Sequence, residues 1–221
     1  MKLARPDIRH PRIVLAGSKG GDDAGLVAAL RKRGLHARWL SWDDPDTLHA
    51  DLVILRTATA YADRLEEFLA WTSRVPNLLN AADVIAWNVG QHQLRDLRNG
   101  GVAVRASAPE RVTMLVYLGG VQSHAFAGQR PVDADFELWD LGHAALRVAA
   151  KHSGIRVDEL LYARVDVTAD AELVRLNLVA PSLGWGLLDE TARDDGQRQF
   201  AVCVESALDR LGLGPLSHRR P

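Results

Sequence analysis

The sequence predicts an α/β fold, with a mostly parallel sheet in its N-terminal half and an α+β antiparallel sheet in its C-terminal half. Three observations carry this prediction. Strands alternate with amphipathic helices in residues 11–104, two β-runs meet at Gly119 and Gly120, and a second hairpin spans residues 160–179. Alternating elements are typical of parallel sheets, and a two-glycine turn is typical of a hairpin. We therefore expect two regions, residues 11–104 and 111–213, packed as one unit.

The elements of the N-terminal half follow from the spacing of apolar residues. Short apolar runs predict strands at residues 12–17, 36–42, 51–57 and 76–80. Amphipathic stretches predict helices at residues 22–34, 61–74 and 89–101. The first and last of these helices end in glycine, which is a common residue at a helix C-terminus.

The C-terminal half combines hairpins with two helices. The first hairpin is expected at residues 114–126, and the second pairs residues 160–167 with residues 173–179. Helical spacing predicts helices at residues 139–154 and 197–211. A short polar joint, residues 105–110, separates the two halves of the chain.

Composition and charge exclude several classes of function. The formal net charge is −1, so neither nucleic acid nor an anionic membrane is an expected partner. The apolar run at residues 13–17 is too short for a signal peptide or a membrane span. The single cysteine, Cys203, excludes an internal disulfide, and its helical spacing predicts a buried structural thiol. We expect a cytoplasmic protein.

A glycine-rich loop follows the first predicted strand and invites interpretation as a phosphate site. It consists of Gly17, Ser18, Lys19, Gly20 and Gly21. The loop matches neither the dinucleotide fingerprint nor the P-loop pattern. Asp22 and Asp23 come next; they would repel phosphate, and they suit the N-terminus of a helix. Two interpretations of this loop therefore remain: a weak phosphate-binding loop, or a structural turn followed by acids that cap a helix.

The second hairpin has one polar face. Strand alternation places Arg164 and Asp166 on the same face, and pairing about the turn adds Arg175 and Asn177 from the return strand. Magnesium is normally held by carboxylates together with substrate phosphates. A single carboxylate beside two guanidinium groups is better suited to an ion pair. We therefore predict that Asp166 pairs with Arg164 or Arg175 and binds no metal in the isolated protein.

Seven stretches follow one another in an order typical of one known family. They lie at residues 42–45, 51–71, 78–88, 94–104, 116–128, 160–167 and 178–183. In this order an arginine ends a strand, a helix ends in F-L-x-W, and L-L-N-x-x-x-V-x-x-W-N follows. Over most of its length the chain resembles ATP-grasp proteins of the glutathione-synthetase-like and cycloserine-ligase-like branch.

The resemblance implies a pre-ATP-grasp domain in residues 11–104 and the C-terminal part of an ATP-grasp domain in residues 111–213. Active members join a carboxylate to an amine through an acyl phosphate, with ATP and magnesium as cofactors. On this chain Asp166 matches the first metal-binding acid and Arg164 the substrate-facing arginine, so both would be catalytic if the protein is active. Asn177 stands at the second acid position, so any metal would lie at Asp166 and Asn177.

The departures from the family pattern are as informative as the matches. Family enzymes carry a long lid that clamps adenine and phosphates, where this chain has only residues 105–110. Two positions that are usually basic hold Gln91 and Ala127, and a further acid is replaced by Ala180. Each lost electrostatic donor costs on the order of 10²–10³ in rate. We therefore expect a degenerate ATP-grasp-like protein without ligase activity, acting as a binding or scaffold protein.

Three further expectations follow. Loss of the lid would uncover a sheet face, so a homodimer or a partner protein is expected to cover it. One alternative is an ATP- and magnesium-dependent carboxylate-amine ligase, or an ATP-binding protein, completed by a partner. Another is a sensor of an amino acid or peptide, because convergent polar groups on a rigid sheet suit a ligand. The candidate ligand-binding residues are Arg56, Trp87, Asn88, His124, Arg164 and Asn177.

Overall fold

Two sheets, one parallel and one antiparallel, organise the chain in the computed structural model, which describes residues 10–57, 61–105 and 111–214. The predicted fold class is confirmed. Residues 106–110 of the predicted joint lie outside the described residues. Within the described ranges no helix is long and apolar enough to cross a membrane.

The parallel sheet belongs to the N-terminal half and has the strand order β2-β1-β3-β4. Its strands are β1 (Ile13–Ala16), β2 (Ala37–Leu40), β3 (Leu52–Leu55) and β4 (Leu78–Leu79). The helices of this half are α1 (Leu26–Lys32), α2 (Leu65–Thr72), α3 (Ala82–Val89) and α4 (Gln93–Asn99). Every residue of β1 and β3 is buried, as expected for central strands covered on both faces.

The antiparallel sheet belongs to the C-terminal half and has the order β7-β6-β5-β8-β9. Its strands are β5 (Thr113–Leu118), β6 (Val121–Ala127), β7 (Arg130–Val132), β8 (Tyr162–Val167) and β9 (Leu173–Asn177). Two long helices, α5 (Phe136–His152) and α6 (Glu190–Arg210), complete this half. Gly119 and Gly120, with φ of 58° and 75°, form the predicted two-residue turn between β5 and β6.

The beginnings of two helices differ from the predicted ones. Asp22 and Asp23 were expected to cap a helix beginning at position 22, but they lie in a single 3-10 turn, and α1 begins at Leu26. Helix α6 begins at Glu190, seven residues before the predicted start at Gln197, because the Asp189 carboxylate accepts the Ala192 N–H at 2.8 Å. Helix α3 and strand β7 were not predicted.

One apolar cluster contains residues of both sheets. Leu15 and Ile54 of the parallel sheet share it with Val116 and Leu118 of β5 and with Phe200 of α6. The alternate residues of β5, Leu115 and Tyr117, belong to a second cluster beneath α5. The antiparallel sheet therefore turns one face towards the N-terminal half and the other towards α5, as the two-residue periodicity of strands requires.

The chain before the joint is attached to the outer edge of the antiparallel sheet. Val104 forms a parallel bridge with Leu173 of β9. The Leu173 N–H donates to Ala103 O at 2.8 Å, and the Arg105 N–H donates to Leu173 O at 2.8 Å. Residues 103–105 thus extend the sheet beyond β9, and the chain re-enters the same sheet at β5.

Candidate functional site

The polar face of the β8–β9 hairpin has the register that the sequence predicts. Arg164 lies opposite Asn177, and Asp166 lies opposite Arg175. Arg164 donates to Asp166 through both arms of its guanidinium group, Nε to Oδ1 at 2.8 Å and Nη2 to Oδ2 at 3.0 Å. The expected ion pair is therefore present, and it is bidentate, the geometry in which arginine recognises a carboxylate best.

These residues do not fit a magnesium ion. Both oxygens of Asp166 accept from Arg164, and the side-chain oxygen of Asn177 accepts the Val179 N–H at 3.1 Å. Magnesium requires oxygen ligands that are free to coordinate it, usually from carboxylates. Among the residues that the structure describes, no group of three or more His, Cys, Asp or Glu side chains could hold a metal ion.

A cleft of about 400 Å³ lies beside the hairpin, between β9 and the α2–α4 region. Asn88 and Asn177, two of the predicted ligand-binding residues, line it together with Arg175, Gln93 and Tyr61. Arg175 is exposed, and it has no ion-pair or hydrogen-bond partner within the described part of the chain. The cleft therefore presents an unneutralised cation among amide groups.

Arg56 does not open into this cleft. Its side chain is 1% exposed and pairs with Asp23, which is 3% exposed. Its Nε and Nη2 donate to Asp23 Oδ1 at 3.1 and 2.9 Å, and Nη2 also donates to Pro181 O at 2.9 Å. The guanidinium carbon lies 4.7 Å from the centre of the Tyr162 ring. The Arg56 side chain is therefore an internal group that joins the two halves of the molecule.

The acids after the glycine-rich loop are directed inwards. The Asp22 carboxylate accepts three backbone N–H groups, from Leu183 at 2.8 Å, Gly184 at 2.9 Å and Gly186 at 3.1 Å. It also accepts the Ser182 hydroxyl at 2.9 Å. We call residues 182–186 the donor loop. Asp22 places a carboxylate where these convergent donors would otherwise attract an anion from solution.

The five residues of the predicted phosphate loop are placed as follows. Gly17 passes the backbone of Thr57 so closely that a Cβ at position 17 would lie 2.7 Å from the Thr57 nitrogen. Ser18, Lys19 and Gly21 are exposed and Gly20 is half-buried. The short turn at Gly21–Asp23 follows directly. The close approach at Gly17 gives this glycine a packing role, whereas the tip of the loop faces solvent.

Two asparagines of the family-like motifs hold the ends of β8 and β9. Asn88 donates to Leu176 O at 3.0 Å and accepts the Leu178 N–H at 2.8 Å. Asn80, which sequence reasoning missed, is fully buried; it donates to Tyr162 O at 3.0 Å and Leu178 O at 2.8 Å, and accepts the Leu161 N–H at 2.7 Å. The sequence does indicate this role, because Asn80 is a polar residue directly after the apolar residues of a predicted strand, and a buried polar side chain needs hydrogen-bond partners.

Trp87 is turned away from the hairpin face. Its Nε1 donates to Asp96 Oδ2 at 3.2 Å, and its ring stacks on His152 with centres 5.6 Å apart. The neighbouring position, Asn88, faces β9, because successive helix residues point about 100° apart. Trp87 therefore packs α3 against α4 and α5.

His124 lies on the same sheet face as Arg164, since both pair with Val116 of β5. Burial is the main cause that lowers the pKa of His124 below its ordinary value of 6.5. A neutral ring then donates from Nε2 to Leu183 O at 2.5 Å and accepts at Nδ1 from the Ser123 hydroxyl at 3.1 Å. Of the predicted ligand-binding residues, His124, Arg164 and Asn177 thus lie in one row across the antiparallel sheet, and only Asn88 and Asn177 line the cleft beside β9.

Comparisons with known proteins give one family match. The family model described as "D-cycloserine synthetase DcsG, N-terminal domain" matches residues 10–80. A comparison with curated proteins gives no match.

Solved structures match over nearly the whole chain. The crystal structure of D-cycloserine synthetase DcsG has a TM-score of 0.75 and 21% identity, and covers 90% of this chain and 99% of that one. The ATP-grasp ligase PsnB with a precursor peptide and AMPPNP has a TM-score of 0.55 and 13% identity, with 89% and 99% coverage. D-alanine–D-alanine ligase from Bacillus anthracis complexed with ATP has a TM-score of 0.57 and 12% identity, with 96% and 99% coverage. The chain has an ATP-grasp-like ligase fold.

Proposed function

We propose that this protein is a binding protein on an ATP-grasp-like fold and does not catalyse ligation. One observation carries the proposal. The carboxylate expected to bind magnesium, Asp166, has both oxygens engaged by Arg164, and its expected partner position holds the neutral Asn177. Without a metal to offset the phosphate charge, a transferring phosphoryl group lacks its main electrostatic stabilisation.

The polar groups near the hairpin support the same conclusion. The Asp22 carboxylate occupies the donor loop, and Asp23 neutralises Arg56. These cationic or N–H donor groups are therefore already paired with carboxylates of the chain itself. One guanidinium nitrogen of Arg56, Nη1, is buried without a hydrogen-bond partner among the described residues. The Arg56 side chain is nevertheless buried and paired with Asp23, so it is not exposed to a phosphate in solution.

Calorimetry with ATP tests this proposal. The parent protein is titrated with ATP in the presence and absence of magnesium, and D-alanine–D-alanine ligase serves as the positive control under the same conditions. The expected result is no saturable heat and no release of ADP, because Asp166 stays paired with Arg164. Saturable ATP binding that requires magnesium and is lost in Asp166→Asn would overturn the proposal.

A second candidate function is a sensor of small molecules, and the cleft at β9 favours it. Its volume of about 400 Å³ lies within the range of ligand pockets, roughly 300–1,000 Å³. Exposed Arg175 and the amides of Asn88, Gln93 and Asn177 supply polar groups beside apolar ones. Such a mixture of a few polar groups and an apolar wall is typical of a ligand site.

Homodimerisation stays a prediction. On one face of the antiparallel sheet Val116, Leu118 and Phe126 are buried, and on the other face Leu115 and Tyr117 are buried. A dimer interface would therefore use other apolar groups, such as Phe136 and Val121, which are 73% and 61% exposed. Light scattering across a concentration series checks this prediction, and a constant mass of one chain would contradict it.

A further inference from the structure

The cleft at β9 carries a net positive charge. Its described lining contains the exposed Arg175 and no aspartate or glutamate. Asp166 lies opposite Arg175 in the strand register, but Arg164 engages both of its oxygens. Arg175 therefore keeps its full charge at the mouth of a concave surface, where an anion would find an unpaired guanidinium group.

Further hydrogen-bond donors remain free beside this cation. Asn177 uses its side-chain oxygen for Val179, and in the described chain its amide nitrogen has no acceptor. Gln93 donates one N–H to Leu176 O, which leaves its second N–H available. Tyr61 also lines the cleft. Two neutral amide donors thus accompany one guanidinium group.

The remaining wall of the cleft is apolar. Leu65, Val89 and Val179 contribute side chains to it. A bare inorganic anion would leave this wall facing water, whereas an anion with an apolar substituent would cover the wall and remove its apolar surface from water. A single planar carboxylate suits the fork of arginine, and amide N–H groups bind the second lone pairs of its oxygens.

We propose that the cleft binds a small monocarboxylate with an apolar substituent, with Arg175 pairing with the carboxylate and Asn177 and Gln93 donating to it. This inference rests on the proposed function as a binding protein, and it gives that function a ligand class. The site differs from the one the sequence predicted, since Arg56, Trp87 and His124 do not line it.

The test is calorimetric titration with N-acetyl-L-valine, a short peptide ending in valine, and N-acetyl-L-valinamide. Carboxylate probes are expected to bind saturably, and the amide about tenfold or more weakly, because it lacks the charge that pairs with arginine. Whether the single acyl amino acid or the peptide binds better distinguishes a free metabolite-sized ligand from a chain terminus. Both results support the site.

Two variants test whether carboxylate binding takes place in this cleft. Arg175→Gln is expected to lower the affinity for N-acetyl-L-valine about tenfold or more. Arg147→Gln, which alters an exposed arginine on α5 that does not line the cleft, leaves it unchanged. Thermal unfolding checks that both variants fold. No saturable binding of any carboxylate, equal binding of the amide, tighter binding of inorganic phosphate, or an unchanged affinity in Arg175→Gln overturns the inference.

ATP turnover separates this inference from the proposed function. Hydrolysis of magnesium-ATP in the presence of a bound carboxylate would refute the non-catalytic proposal and leave the Arg175 site standing. Absence of carboxylate binding together with absence of ATP binding would refute the site and leave the non-catalytic proposal standing.

Discussion

Two polar regions of this molecule differ in the sequence separation and in the burial of their ion pairs. On the hairpin face, Arg164 pairs with Asp166 two positions along the same strand. At the junction between the two halves, Arg56 pairs with Asp23, 33 positions away, and donates to Pro181, 125 positions away. The first region is local and partly accessible, whereas the second is buried and joins remote segments. Polar groups of the first kind remain accessible to a ligand, whereas those of the second kind stabilise the fold.

The junction also gives a structural role to residues of the motifs that resemble ATP-grasp proteins. Arg56, Asn80 and Asn88 belong to these motifs, and all three bond to the C-terminal half. Asn80 and Asn88 satisfy backbone groups at the ends of β8 and β9, which would otherwise be buried without partners. These three residues therefore have a structural role that does not depend on catalysis.

Breaking the junction at its buried ion pair is expected to have the largest effect. Arg56→Met leaves the Asp23 carboxylate buried without a counter-charge, because both side chains are almost fully buried in the parent. Removal of one partner of a buried pair costs about 3–5 kcal/mol. Urea unfolding measures the loss in the free energy of unfolding.

The double variant Arg56→Met with Asp23→Asn provides the control. It removes both charges, so its loss is expected to be smaller than the sum of the two single losses. Additive losses would show that the two side chains contribute independently, and the junction would then not be organised by their pairing.

A second contact between the two halves joins Asp22 to the donor loop. Its removal is expected to have an intermediate effect on stability. Asp22→Ala removes the acceptor for three N–H groups and one hydroxyl of the donor loop. Hydrogen bonds to charged groups contribute about 1.5–3 kcal/mol, and solvent can reach part of this loop, so the expected loss in unfolding free energy is about 2 kcal/mol. Thermal and urea unfolding measure it.

Formate supplies a further test at Asp22. The small carboxylate is expected to raise the stability of Asp22→Ala more than that of the parent, because the donor loop then has room for an anion. Asp170→Ala, which alters an exposed acid in the β8–β9 turn, is the matched control and shows no such response. Equal responses of the two variants to formate would contradict the carboxylate-binding role of this loop.

The two regions also differ in how far the sequence predicts them. Strand alternation suffices to place Arg164, Asp166, Arg175 and Asn177 on one face, since this requires only a hairpin register. The contacts of Arg56 require the relative placement of segments more than 100 residues apart, which no local pattern contains. The fold class was predictable from periodicity, whereas the direction of each candidate ligand-binding side chain was not, because membership of a motif does not specify which way a side chain points.

His124 connects the two regions and gives the smallest expected effect. It lies on β6, on the same sheet face as Arg164, and donates to Leu183 O in the donor loop. Burial lowers its pKa in the folded protein, so the unfolded chain takes up a proton more readily. The contribution of His124 to stability is therefore complete above pH 6.5, falls as the pH drops below 6.5, and levels off below the pKa of the folded state.

His124→Gln retains a donor for Leu183 O without this titration, so urea unfolding between pH 7.5 and pH 5 is expected to show a flatter profile than the parent. His92→Gln, at an exposed position, keeps the profile of the parent, and a profile in His124→Gln as steep as the parent's would assign the pH dependence to other groups.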